Sequence, residues 1–210
     1  MPLTELKTFS PSSCLGIWET TESLEALEQA YPLTENEAAV YQSFTHPYRK
    51  VQWLSVRLLL SQLLPGTRIV YDENGKPHPE GKSNVHLSVS HTASYIAVMI
   101  SDKPCGVDIE IVREKIDRIA PRFLSEKELE DARREPKTER LHVYWCVKEA
   151  IYKVFGKKNV SLRTDIFVGT PVETLSGTVI ASLRNGDDWL ENPVHYERFR
   201  DCMLAWTSLG

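Results

Sequence analysis

The stretch G-V-D-I-E at positions 106–110 decides how the surrounding chain folds, because apolar and acidic residues alternate in it. A period of two predicts a strand with Asp108 and Glu110 on one face and Val107 and Ile109 on the other. Two neighbouring carboxylates beside apolar residues repel each other and lose hydration, and a divalent cation with oxygen ligands offsets both effects. The same pattern also fits a half-exposed strand whose two acids are simply solvated.

A second stretch, W-C-V-K-E-A-I-Y-K-V-F-G at positions 145–156, predicts a helix that ends at Gly156. Trp145, Glu149 and Lys153 are spaced four residues apart and therefore share one face of this helix. If that face turns toward the strand, Glu149 joins the two earlier carboxylates, and Lys153 lies one turn further on, where it suits a phosphate. The alternative is an exposed Glu–Lys pair, which stabilises a helix by only about 0.3–0.5 kcal/mol.

G-V-D-I-E followed by W-x-x-K-E-A-x-x-K, in this order and at this spacing, resembles the 4′-phosphopantetheinyl transferase superfamily. The resemblance is to its larger, pseudodimeric branch, the surfactin-synthetase-activating type. It implies an α+β protein with two similar α+β halves that form an intramolecular pseudodimer, with the active site at their interface. We place an N-terminal half at residues 1–106 and a C-terminal half at residues 107–210. A monomer is expected, because the duplicated chain supplies internally the interface that smaller relatives make by oligomerising.

The activity that the resemblance implies is Mg²⁺-dependent transfer of 4′-phosphopantetheine from coenzyme A to a serine of an apo acyl or peptidyl carrier protein. The other product is 3′,5′-ADP. The predicted metal ligands are Asp108, Glu110 and Glu149. The predicted catalytic residues are Asp108, Glu149 and Lys153. Glu149 is either a metal ligand or the base that deprotonates the serine, and the sequence leaves both roles open. Lys153 is expected to contact the pyrophosphate, and Lys148 either assists it or braces the helix.

Two further motifs resemble segments with which this family binds coenzyme A. One is G-K-P, whose lysine is Lys76 and is expected to approach the cofactor. The other is N-x-x-x-S-x-S-H-T, which begins at Asn84 and contains Ser90 and His91. In the family this histidine binds the nucleotide end of coenzyme A, and we expect Ser90 to support it. The structural alternatives are a solvated lysine in a turn and a histidine that caps a hairpin loop.

Arg57 lies in the run W-L-S-V-R-L-L-L, within a helix predicted to begin at Pro47. Because its neighbours are apolar, its guanidinium must either snorkel to the surface or find an anion. In the resembling family a basic residue of the corresponding helix contacts the 3′-phosphate of coenzyme A, which makes Arg57 the first candidate and Arg49 the second. For docking of the carrier protein we select Arg49, Arg118 and Arg122.

The composition is that of an ordinary soluble globular protein, with 41% hydrophobic and 26% charged residues. A net charge of −4 argues against bulk nucleic-acid binding. The longest apolar runs are far shorter than the roughly 20 residues needed to span a bilayer, and the N-terminus does not resemble a secretory signal. The four cysteines are widely spaced and contain no C-x-x-C pair, which predicts reduced thiols. We therefore expect a cytoplasmic protein without nucleic-acid or membrane partners.

Two other functions remain open on the sequence. A different Mg²⁺-dependent phosphoryl or nucleotidyl transferase could use the same acids, and it would consume a nucleoside triphosphate and ignore coenzyme A. A non-catalytic module of the same fold would bind coenzyme A or a carrier protein without turnover. The intact set of three acids and Lys153 argues against the second alternative, because a degenerate member need not keep all four residues.

Overall fold

The computed structural model describes residues 3–156, 159–169 and 171–209. Within these ranges the strands are β1 Leu3–Ser10, β2 Ser13–Glu19, β3 Ile69–Tyr71, β4 Pro77–Pro79, β5 His86–His91, β6 Tyr95–Ser101, β7 Cys105–Ile111, β8 Ile166–Val168, β9 Gly177–Asn185, β10 Asp188–Phe199 and β11 Cys202–Ser208. The helices are α1 Leu24–Ala30, α2 Glu35–Gln42, α3 Pro47–Leu63, α4 Ala120–Phe123, α5 Glu126–Ala132 and α6 Lys137–Phe155, with a 3-10 turn at Glu114–Arg118. Residues 1, 2 and 210, at the ends of the two predicted halves, lie outside the described residues.

The strands form two antiparallel sheets and a short hairpin of β3 and β4. The first sheet has the order β1-β2-β6-β5, and the second has the order β7-β11-β10-β9-β8. The chain therefore passes from the first sheet to the second in the turn between β6 and β7. The result is a mixed α/β protein, as expected, and β7 is the strand that contains G-V-D-I-E.

The apolar side chains form three clusters, each tied to one or both sheets. One lies between the first sheet and α3, and a second lies between the second sheet and α6. The third contains Leu15 and Ile17 of β2 together with Val107 and Ile109 of β7, so it lies where the two sheets face each other. As the alternation predicts, β7 turns Val107 and Ile109 to this third cluster and its acids toward α6.

Gly106 is the residue that allows α6 to lie against β7. A Cβ atom at this position would stand 1.9 Å from the carbonyl oxygen of Ala150, a distance that atoms do not tolerate. Only glycine permits backbone to approach backbone this closely. The glycine therefore sets the separation between the strand that carries Asp108 and the helix that carries Glu149.

Helix α6 ends as the sequence predicts, at Gly156 in the left-handed conformation with φ 60°. It begins earlier than the motif, at Lys137 directly after Pro136. After β7 the chain forms the 3-10 turn Glu114–Arg118, which is followed by the single turn of α4. None of the helices in the described ranges has both the length and the apolar character needed to cross a bilayer.

The two sheets are joined beside β7 by serine side chains rather than by a backbone ladder. The hydroxyl of Ser88 accepts a hydrogen bond from the backbone N–H of Val107 at 3.0 Å. Two residues further along β5, the hydroxyl of Ser90 accepts one from the N–H of Ile109 at 3.3 Å. These bonds satisfy amide groups on the side of β7 that faces away from β11.

Candidate active site

Asp108 lies at the base of the candidate site and is 3% exposed. Its Oδ1 accepts hydrogen bonds from Lys153 Nζ and Ser90 Oγ, each at 2.8 Å. Its Oδ2 is buried and finds no donor among the described residues. The nearby Cys146 thiol donates instead to the carbonyl oxygen of Met203. A buried carboxylate oxygen without a donor is costly, and a cation would remove that cost.

Glu110 on β7 and Glu149 on α6 lie close enough to Asp108 for the three charges to interact. Burial raises the pKa of each glutamate to about 7, and repulsion by Asp108 adds to the shift. Lys153 lowers the pKa of both groups, but one ammonium does not balance three carboxylates. The strand and the helix thus bring together the acids that the two motifs supply.

The chemistry of the three carboxylates fits a divalent cation, although their side chains do not converge on one point. Among the described residues, no group of three or more His, Cys, Asp or Glu side chains stands ready to hold a metal ion. In this arrangement the ammonium of Lys153 supplies positive charge to Asp108. Carboxylate oxygens are the ligands that Mg²⁺ takes in proteins, and Asp108 Oδ2 lacks any other partner. Asp108, Glu110 and Glu149 are the residues that would hold the ion.

A first cleft opens beside the acids, between the β3–β4 turn and the end of α6. It is lined by Lys76, Ser88, Tyr152, Lys153 and Gly156, among others. Lys76 Nζ donates to the carbonyl oxygen of Val154 at 2.6 Å, at the C-terminus of α6. Burial lowers the pKa of Lys76, yet its charge faces the negative end of the helix. The cleft therefore holds two lysines whose ammonium groups are bound only to protein oxygens.

A second cleft adjoins the first, since Pro77 and Val89 line both. It also contains Arg49, Gln52 and His91. Gln52 Nε2 lies 3.0 Å from His91 Nδ1, which fixes the orientation of the imidazole ring. Partial burial and the positive charges of Arg49 and Lys153 lower the pKa of His91. A neutral imidazole beside an exposed guanidinium suits an anionic ligand.

Gln52 is the contributor to this cleft that the sequence motifs missed. It lies three residues after Arg49 and so on the same face of α3, where its side chain also bonds the hydroxyl of Tyr48 at 2.7 Å. The helical spacing from Arg49 was the available signal. A single glutamine among alternating polar and apolar residues is not by itself a signal for a binding site.

Arg57 lines the second cleft, but the anion that its guanidinium contacts is Glu37 of the same protein. Its Nε donates to Glu37 Oε1 at 3.1 Å, its guanidinium stacks 3.2 Å from the ring centre of Trp53, and it is 4% exposed. Glu37 shares its negative charge between Arg57 and Arg68. Arg49 lines the same cleft and is exposed, so its guanidinium is accessible to a ligand there.

Lys148 does not face the site, and the prediction that it contacts the cofactor is wrong. It is fully buried, and its ammonium donates to Glu128 at 2.7 Å and to the carbonyl oxygens of Phe123, Leu162 and Ile166. The sequence motif predicts Lys148 near the cofactor because it is adjacent to Glu149. On a helix, however, consecutive side chains point about 100° apart, and this one points to α5. Lys148 braces the helix.

Trp145 closes the site on the side away from the lysines. Its ring packs edge-on against Phe123, with centroids 4.9 Å apart, and its indole lies near Glu110. A third cleft begins here, lined by Glu110, Arg113, Ile116 and Trp145 among others. The walls of this third cleft are mostly apolar, with basic residues at its rim. Glu110 therefore lies between this apolar cleft and the first cleft, which contains Lys76 and Lys153.

Comparison with known proteins assigns the segment that contains these residues. A model of the 4′-phosphopantetheinyl transferase superfamily matches residues 104–190. Three curated relatives are named 4′-phosphopantetheinyl transferases. The protein psf-1 of Bacillus pumilus is 34% identical over 100 residues, which are 45% of this chain and 42% of the relative. The protein gsp of Aneurinibacillus migulanus is 29% identical over 109 residues, 50% of this chain and 46% of the relative. AcpT of Salmonella typhimurium is 33% identical over 115 residues, 51% of this chain and 60% of the relative.

The chain spans about half the length of the curated relatives that it matches. The matched segment nevertheless includes Asp108, Glu110, Glu149 and Lys153, the residues whose charges interact at the base of the site. The two motifs, the geometry that joins them and these matches lead to one conclusion: residues 104–190 are similar to the 4′-phosphopantetheinyl transferase superfamily, and the chain resembles its psf-1 and gsp members.

Proposed function

We propose that the protein transfers 4′-phosphopantetheine from coenzyme A to a serine of an apo carrier protein, with Mg²⁺ bound by Asp108, Glu110 and Glu149. The observation that carries the proposal is the buried Asp108 Oδ2, which has no donor in the described part of the chain and adjoins two glutamates with raised pKa values. An acidic site of this kind, at the mouth of clefts lined by Lys76 and Arg49, suits a cation and a polyanion together.

The reaction requires a proton to leave the serine as its oxygen forms a bond to phosphorus. The P–O bond to the nucleotide breaks at the same phosphorus, and 3′,5′-ADP departs. Glu149, whose pKa is raised to about 7 in the metal-free protein, is either a metal ligand or the group that accepts that proton. Mg²⁺, when bound, neutralises charge on the pyrophosphate and stabilises the departing phosphate. Lys153 exchanges its bond to Asp108 for one to a pyrophosphate oxygen.

The two adjoining clefts give coenzyme A a continuous path. The pyrophosphate would lie near Lys153 and Lys76, at the end next to the acids. The nucleotide would continue into the second cleft, with Arg49 and His91 at its 3′-phosphate. The acceptor serine would approach from the opposite side, through the apolar third cleft beside Glu110. A basic rim at Arg113 there suits an acidic carrier surface.

We further propose that the two sheets represent the two halves of an intramolecular pseudodimer, residues 1–106 and 107–210. Each sheet is covered by one long helix, and the third apolar cluster fills the space where they face each other. Ser90 from the first half and Asp108 from the second share a hydrogen bond in the candidate site. The active site then lies at the interface of the halves.

The test of the proposal is a direct measurement of carrier mass. Purified protein is mixed with Mg²⁺, coenzyme A and apo carrier proteins of the acyl and peptidyl types. The carrier should gain the mass of one phosphopantetheine, and an equal amount of 3′,5′-ADP should appear. ATP in place of coenzyme A is the control. Consumption of ATP, or unmodified carriers of every type, would count against the proposal.

A further inference from the structure

Ser90 makes two hydrogen bonds with its hydroxyl, and both go to the second sheet. Its Oγ donates its single proton to Asp108 Oδ1 at 2.8 Å and accepts the N–H of Ile109 at 3.3 Å. The side chain is buried, with 7% of the residue exposed. A hydroxyl that has given its proton to a carboxylate has none left for a phosphate oxygen.

We propose that Ser90 is a positioning residue for the cation site rather than a contact for coenzyme A. Its hydroxyl holds Asp108 by Oδ1, and Oδ2 is then the oxygen that is left for the cation. This inference rests on the proposed function and deepens it. It assigns to a residue of the first sheet, Ser90, the role of orienting a metal ligand of the second sheet, Asp108.

Lys153 does not substitute for Ser90 in this role. It also donates to Asp108 Oδ1, but its side chain is 25% exposed and its ammonium is required by the pyrophosphate. When Lys153 turns to the substrate, Ser90 is the remaining donor that keeps Oδ1 in place. Groups that orient a metal ligand in this way typically change metal affinity by about 10–100-fold when removed.

Ser88 provides a matched control, because it lies on the same strand and makes the same kind of bond to the backbone of β7. Its hydroxyl accepts the N–H of Val107 at 3.0 Å, and it is 3% exposed. Ser88→Ala and Ser90→Ala therefore each leave one amide of β7 without an acceptor. They differ in the bond to Asp108, which only the second substitution removes.

The experiment measures binding of Mg²⁺ alone, by calorimetry and by the shift in unfolding temperature, for the unchanged protein and for Ser88→Ala, Ser90→Ala and Ser90→Thr. Ser90→Ala should weaken Mg²⁺ binding by about tenfold or more. Ser88→Ala should leave it close to the original, and Ser90→Thr, which keeps the hydroxyl, should restore it. In the transfer assay, Ser90→Ala should need more Mg²⁺ for half-maximal rate while its KM for coenzyme A stays unchanged.

Equal Mg²⁺ affinity in Ser90→Ala and the unchanged protein would overturn the inference. So would a raised KM for coenzyme A at an unchanged Mg²⁺ requirement, because that pattern identifies a cofactor contact. If no carrier is modified but Ser90→Ala still weakens Mg²⁺ binding, the proposed function fails and the positioning role stands. Unfolding curves for the three variants identify any substitution that acts through stability alone.

Discussion

The carboxylate of Asp108 has two oxygens in opposite situations. Oδ1 is held by a serine and a lysine, whereas Oδ2 is buried without a donor in the described chain. A group in this state is poorly suited to stabilising the fold by itself. Binding of a cation by Oδ2 would explain why the Asp108 carboxylate is arranged in this way.

Asp108→Asn should abolish transfer and preserve the fold. The amide fills the same space but removes the charge that attracts the cation, and a loss of several kcal/mol of transition-state stabilisation lowers the rate by at least about a hundredfold. Carrier mass and circular dichroism report on activity and folding. Asp117→Asn, at an exposed acid paired with Lys137, is the control. Transfer at the original rate by Asp108→Asn would show that the metal assignment is wrong.

Glu110 and Glu149 make stability depend on pH in a predictable direction. Each has a pKa of about 7 in the folded protein, above the unfolded value of about 4.3. Their stabilising contribution is therefore complete below about pH 4.3 and is lost as pH rises through 7. The metal-free protein should therefore lose this contribution between about pH 4.3 and about pH 7, and its stability should depend little on these two groups above that range.

Mg²⁺ should reverse that trend. It binds the ionised carboxylates, so the rise in unfolding temperature on adding MgCl₂ should be larger at about pH 8 than at about pH 6. Differential scanning fluorimetry measures both. In the double variant Glu110→Gln, Glu149→Gln the difference should disappear. An Mg²⁺ effect of the same size at both pH values would contradict the assignment of these groups.

At the scale of elements, the contact between β7 and α6 decides the geometry of the site. Gly106 lets the helix approach the strand, and Gly156 ends the helix in a left-handed conformation that other residues rarely adopt. A Cβ at Gly156 would also meet Lys76 Cδ at 2.7 Å. Both glycines thus fix the positions of charged side chains on neighbouring elements.

Gly106→Ala should destabilise the protein strongly and reduce transfer. The new methyl group would overlap the Ala150 carbonyl oxygen, which cannot move without displacing α6, and we expect a cost of about 3 kcal/mol or more. Gly16→Ala is the matched control, since the atoms nearest to its methyl would be side-chain methyl groups of Leu59 and Leu63 on α3, at 3.0–3.2 Å. Urea unfolding measures both. Equal losses for the two variants would refute the difference between backbone and side-chain contact.

The ion pair of Lys148 with Glu128 braces α6 against α5. Lys148→Met should destabilise the protein by about 3–5 kcal/mol, because Glu128 keeps its charge while losing its buried partner. The double variant Lys148→Met, Glu128→Gln should be more stable than the single one, since no unpaired charge remains. Urea unfolding again provides the measurement. A double variant that is less stable than Lys148→Met would argue against this explanation.

The sequence predicted those elements whose signals are local. Alternation identified β7, and the sequence patterns T-x-x-E at Thr34 and S-x-x-E at Ser125 form capping boxes that Glu37 and Glu128 complete. The sequence did not predict which oppositely charged residue each buried charge would pair with. Glu37 and Glu128 lie near the start of short helices, and each is the buried anion of a distant cation, Arg57 or Lys148. Such pairs join residues about 20 positions apart, and no local period encodes them.

For the whole molecule, the apolar cluster between the sheets has a consequence for assembly. Side chains of β2, β6, β7 and β11 cover one another there, including Leu15, Ala97 and Leu204, which are inaccessible to solvent. The strand β1 adds Phe9, which stacks on Trp206 of the second sheet at 6.1 Å. These apolar surfaces of the two sheets are therefore covered within the chain.

The protein should accordingly be a monomer in solution. Size-exclusion chromatography with light scattering should give a mass near 24.0 kDa. Because the interface is internal, this mass should not change with dilution. A mass twice as large at low concentration would show that a further surface mediates association.

The hydroxyls of Ser88 and Ser90 join β5 to β7 at the place where a continuous sheet would have a ladder of backbone hydrogen bonds. We call this pair of side-chain contacts the joint. Opening this joint breaks the bonds of Ser88 and Ser90 to two amides and the bond of Ser90 to Asp108, whereas separating paired strands breaks a whole row of backbone hydrogen bonds. The amide protons of Val107 and Ile109 should therefore exchange with deuterium faster than their buried neighbours in β11. A bound ligand that spans both sheets should slow that exchange, so these two protons would act as a built-in reporter of cleft closure.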